Sequence, residues 1–133
     1  MTFITANGIP LPITIFAALM GIGGTVIGVG ALLDPTTAID FVEGADKMGT
    51  AWGGRNLGLG AAMLGAVVMR HAAGYAVAFF GAIWREISDL MAGLSDGGSL
   101  NVPFAVVLVL ELVCLAICIR SSLAERSAEP AMP

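Results

Sequence analysis

Five ionisable residues interrupt otherwise apolar stretches of this chain: Arg55, Arg85, Glu86, Asp89 and Glu111. Two bases and three acids can form ion pairs, grip a polar head group, hold a cation or pass a proton, and burial decides which of these matters. On a helix, residues 85, 86 and 89 project within one arc of about 100°, and Ala78, Ala82 and Gly93 share that side. Asn56 adds a neutral amide beside Arg55, whereas Glu111 is the single charge in the middle of the run 102–119.

Other chemistries lack their parts. His71 is the one histidine, so the chain supplies neither a Ser/His/Asp set nor a Cys/His pair nor the two histidines of a membrane b-type haem. Cys114 and Cys118 stand four apart on the side of Glu111, a spacing that offers two ligands to a soft metal. Two thiols alone do not complete such a site, and buried free cysteine behaves as a small hydrophobe. Gly58 and Gly60 resemble part of a phosphate loop, but no strand precedes them and no Lys-Ser/Thr ends the run. No catalytic set, metal site or cofactor is therefore expected.

The elements that position these residues follow from composition. Of 133 residues, 57% are hydrophobic and 12% charged, with a mean hydropathy of +0.91. A soluble domain carries about 25% charged residues, so this is the composition of a membrane protein. The net charge of -4 offers no basic field for nucleic acid, and the hydrophobicity excludes disorder.

Four apolar runs, 11–33, 51–69, 72–94 and 102–119, are read as transmembrane helices, each near the ~20 residues that cross a bilayer. The first is not read as a signal peptide: no Lys or Arg precedes it, it is too long, and Asp34-Pro35 follows it. The third is the least hydrophobic, and a half-inserted helix continued by an interfacial one is its alternative. Between the first two runs lies an acidic loop, 34–50, in which Asp34 and Pro35 are placed to start a short helix. A polar tail, 121–133, is expected to fray. The fold class is thus all-α, one integral membrane four-helix bundle.

Arg70, Arg120 and Arg126 fall on the side of the N-terminus, with only Lys47 on the other, so both termini are expected in the cytoplasm of a cell with the chain in its inner (plasma) membrane. In that topology Arg55 and Asp89 lie about one turn from the far helix ends, while Arg85 and Glu111 lie deeper. Opposite charges therefore pair by depth, Arg55 with Asp89 and Arg85 with Glu111. Gly24 and Gly28 on the first helix, with Gly54, Gly58 and Gly65 on the second, repeat at the small-residue spacing that lets helix backbones approach in lipid.

Leu32-Leu33-Asp34-Pro35, the run Gly53-Gly54-Arg55-Asn56-Leu57-Gly58-Leu59-Gly60, and Arg85-Glu86-Ile87-Ser88-Asp89 before a glycine-rich turn resemble a bacterial family of small four-helix membrane proteins. That family is distantly similar to the DoxX-like group. The resemblance covers most of residues 11–119 and implies an integral four-helix bundle in which Arg55, Arg85 and Asp89 match charged positions; Glu111 has no counterpart in it. Some DoxX-like proteins are membrane components of quinone-linked oxidoreductase systems, but no motif here carries that chemistry.

The first functional expectation is a non-catalytic accessory subunit or organiser of a membrane complex. Its partners would be the lipid bilayer, other membrane subunits or further copies of itself, or a lipid-like or quinone-like molecule. The second is an oligomeric proton-coupled transporter with Glu111 as the titrating group. The third is a membrane isomerase or oxidoreductase component in which Glu86 or Glu111 acts as general acid beside Arg85.

Overall fold

The computed structural model describes residues 9–34, 46–95 and 102–128. The short helix expected after Asp34 lies outside them. Four helices follow in order: α1 (Leu11–Leu33), α2 (Asp46–Met69), α3 (Ala72–Ser95) and α4 (Val102–Ala128). Of these, α1 and the 102–127 portion of α4 are long and apolar enough to cross a membrane.

Local chemistry explains the ends. Pro10 precedes α1 and Pro12 sits in its first turn, where a missing N–H costs nothing; the amides of Ile13 and Thr14 donate to the Pro10 carbonyl at 3.0 and 3.3 Å. At the other end the Asp34 amide donates to Gly30 O at 2.9 Å, and Pro35 disfavours further helix. Arg70, at φ 51°, ends α2 in the left-handed conformation usually left to glycine, with its amide on Ala66 O at 2.9 Å. The Tyr75 amide then donates to His71 O at 3.2 Å, so α3 begins after a turn of two exposed residues, Arg70 and His71.

Two helices begin or end elsewhere than hydropathy marks them. α2 starts at Asp46 rather than 51, and α4 runs to Ala128 rather than stopping near 119, so 121–128 is helix and not a frayed tail. Its Leu, Ala, Glu and Arg are strong helix formers, Arg126 complements the negative end of the helix dipole, and Ser127 Oγ donates back to Leu123 O at 3.0 Å. Hydropathy marks where lipid could begin or end, which is not where helix propensity gives out.

α1 packs chiefly on α2, α3 chiefly on α4, and α2 joins the two pairs through α3. On α1 the buried positions Ile13, Ala17, Gly21, Gly24, Gly28 and Ala31 form one stripe at three- and four-residue spacing. Gly24 and Gly28 lie in the α1–α2 seam as the spacing predicts. On α2, however, the seam is made by Gly53 and Gly60. Gly54, Gly58 and Gly65 are a correction to the sequence reading: a Cβ at any of them would meet nothing within 4 Å. A helix carrying glycine on several faces cannot reveal which face is used until its partner is in place.

The apolar core occupies one half of the bundle. It gathers Ile13 and Ala17 of α1, Met63 and Ala66 of α2, Tyr75, Phe79 and Ala82 of α3, and Cys114 and Cys118 of α4. Phe16 stacks on Phe79 with ring centroids 6.0 Å apart and planes 8° apart. Around this core many large apolar side chains face outward, among them Leu19 and Val26 of α1, Val68 of α2, Phe80 and Trp84 of α3, and Val106, Val109 and Val113 of α4.

Candidate functional site

One to two turns along α3 from Phe79, the interior changes from apolar to charged. α3 places Ala82 and Glu86 on its buried stripe, with Arg85 one step round and Asp89 one turn further on. Asn56 and Arg85 each lie fourteen positions from the nearer residue of the 70–71 turn, so the antiparallel α2–α3 pair brings them level. Glu111 enters from α4, and Cys114 and Cys118 follow it on the same buried stripe towards the core.

The two pairings expected from depth are both present. An Arg55 guanidinium nitrogen donates to Asp89 Oδ1 at 2.6 Å, and an Arg85 guanidinium nitrogen lies 3.7 Å from Glu111 Oε1. Two further links were not evident from the spacing. That same Arg85 nitrogen also pairs with Glu86 Oε1, and the other donates to Asn56 Oδ1 at 3.4 Å. The Asn56 amide group itself donates to Trp52 O at 2.9 Å, which fixes the orientation of its oxygen towards Arg85. The Arg85–Glu86 pair joins adjacent residues, which ordinarily point apart on a helix, so helical spacing gave no signal for it. The hairpin register did contain one for Asn56–Arg85.

Burial sorts the members into an inner and an outer group. Glu111 is 0% exposed, Glu86 2% and Asn56 5%. In the outer pair, the side chains of Arg55 and Asp89 are 35% and 25% exposed. Asp89→Asn is accordingly expected to cost about 1 kcal/mol or less, and less still in high salt, because a partly hydrated pair is a weak one. Thermal unfolding of the variant at two ionic strengths checks this; a loss of several kcal/mol would show that the pair is buried after all.

The inner group is not fully satisfied. Neither Glu111 oxygen makes a hydrogen bond, and Glu86 Oε2 makes none. Two carboxyl groups thus share one guanidinium. Among the described residues, no group of three or more His, Cys, Asp or Glu side chains converges as a metal's ligands. Cys114 and Cys118 are both free and buried, which fits small core side chains. His71 lies exposed in the α2–α3 turn, remote from this cluster in the sequence of both helices.

Compared with models of protein families, with curated proteins and with solved structures, the chain matches none. Its function is therefore argued from this geometry alone.

Proposed function

We propose that the chain is a four-span integral membrane protein that serves as a non-catalytic subunit or organiser of a membrane complex, with both termini on the cytoplasmic side. One observation carries this reading: the distribution of polarity is inverted. Glu86 and Glu111 are buried, while large apolar side chains face outward along α1, α3 and α4, with Val68 and Met69 at the end of α2. Water would reverse both preferences, whereas a bilayer accepts the apolar exterior and forces charges inward to find one another. The shallower hydropathy of α2 and α3 follows, since these two helices carry three of the cluster's charged residues on α3 and Arg55 on α2.

The outer face of α4 supports a binding role. Val102, Ala105, Val106, Val109 and Leu110 line a shallow groove there whose walls are almost entirely apolar, suited to a partner helix or an acyl chain. Two measurements test the proposal. Alkaline carbonate washing of membranes should leave the chain in the pellet, and release into the supernatant would refute membrane integration. Native mass spectrometry after mild detergent extraction from the source membranes should show a larger complex. A bare single chain under those conditions would refute the subunit role.

The second reading is a transporter with Glu111 at its centre, and the observation that favours it is the pair of Glu111 oxygens without hydrogen bonds at zero exposure. Uptake into proteoliposomes that depends on pH and is abolished by Glu111→Gln would establish it over the first.

A further inference from the structure

The inner cluster has a charge count that its own residues do not close. Glu86 and Glu111 bring two negative charges when ionised, Arg85 brings one positive charge, and the Arg55–Asp89 pair is neutral by itself. A surplus of one buried negative charge is strongly disfavoured unless something offsets it. Three carboxylate oxygens, Glu86 Oε2 and both of Glu111, are buried and accept no hydrogen bond, although Glu111 Oε1 lies 3.7 Å from Arg85. They belong to side chains 2% and 0% exposed, so these acceptors face the interior rather than water.

We propose that Glu86 and Glu111 together hold one exchangeable monovalent cation, either an alkali ion or a proton shared between the two carboxyl groups. The charge count selects a single positive charge: a divalent ion would convert a surplus of one negative charge into one of one positive. Hard carboxylate oxygens bind hard cations of either charge, so the charge count alone makes the choice. The groups around the site are few. α2 contributes Asn56 and, further out, Arg55; α3 contributes Arg85, Glu86 and Asp89; α4 contributes Glu111 with Cys114 one turn on; and α1 carries no ionisable side chain between residues 11 and 33.

The route to the site is one-sided. Side-chain exposure rises from Glu111 through Arg85 to Asp89 and Arg55, so polar groups lead from the cluster towards the end of the bundle where α2 starts and α3 ends. In the opposite direction Cys118, Phe79 and Tyr75 close the interior with no charged side chain. The ion therefore exchanges past the Arg55–Asp89 bridge. This inference rests on the cluster's isolation from water and not on whether the chain organises a complex or transports, so the test uses purified protein in detergent, where neither activity is needed.

Thermal unfolding is followed by the fluorescence of Trp52 and Trp84 while sodium, potassium or lithium replaces choline at constant ionic strength. An alkali ion bound only by the folded state should raise the midpoint by roughly 4–6 °C for each tenfold increase above its dissociation constant. That rise should vanish in Glu111→Gln and persist in Glu125→Gln, whose carboxylate is on the far end of α4. If Glu111→Gln does not fold, Glu86→Gln serves in its place. Where no alkali ion has an effect, infrared spectroscopy should instead find a protonated carboxyl band that shifts on deuteration and disappears in Glu111→Gln or Glu86→Gln, which assigns the positive charge to a proton. The absence of both an alkali response and such a band would mean that both carboxyl groups are ionised without a bound cation, and would overturn the proposal.

Discussion

Arg85→Ala is expected to lower stability by about 3–5 kcal/mol, the cost of removing one partner from a buried ion pair. Arg85 is the only cation touching the inner cluster among the described residues, and it contacts three groups at once: Glu86, Glu111 and the Asn56 oxygen. Without it, the two buried carboxyl groups lose the guanidinium that they share. Against a total stability of about 5–15 kcal/mol, such a loss is a large share. It should appear as a fall of roughly 10–20 °C in the thermal midpoint, at about 4 °C per kcal/mol for a chain of this size. Arg85→Lys should fall in between, because an ammonium keeps the charge but cannot reach Glu86 and Asn56 in two directions as a planar fork does. Removing all three charges together, with R85M, E86Q and E111Q combined, should recover most of the loss, since a neutral cluster has no charge to strand. If Arg85→Ala melts with the unaltered chain, the cluster is hydrated and the burial argument fails with it.

How much of this was legible beforehand differs from residue to residue. The bounds of α1 follow from the apolar run and from the prolines on either side, because hydropathy and helix propensity change at the same positions there. At the end of α4 they change at different positions, and the helix continues through a polar segment that hydropathy treats as tail. Depth counting is enough to pair Arg55 with Asp89 and Arg85 with Glu111, since antiparallel helices with short connections leave little choice of level. What depth cannot supply is rotation about the helix axis. Glu86 is adjacent to Arg85 in sequence yet shares its guanidinium, and the α2 glycines used for packing are Gly53 and Gly60 rather than Gly54, Gly58 and Gly65. Both depend on how far each helix is turned, which is set by contacts between helices and not by spacing within one.

That rotation makes the glycines separable by experiment. Gly28→Ala is expected to destabilise by about 1–3 kcal/mol, the usual cost of overpacking a tight contact. Its new methyl would run into the backbone nitrogen of Leu57 and stand 2.8 Å from both the Gly53 carbonyl oxygen and Leu57 Cα. These are backbone atoms, which cannot rotate aside, so the two helices must move apart along their closest approach. Gly60→Ala should behave alike, because its methyl would sit 2.7 Å from Thr25 Oγ1 and 2.8 Å from Gly21 O. Gly58→Ala is the contrast: the methyl enters open space, and replacing an interior helical glycine lowers the entropy of the unfolded chain, for a gain of up to about 1 kcal/mol. Thermal unfolding of the three variants as single chains in detergent should therefore rank Gly58→Ala at or above the unaltered protein and the other two clearly below it. Equal losses in all three would mean that α2 presents a different face to α1. A loss confined to Gly58→Ala would place the contact on the face where spacing alone first put it.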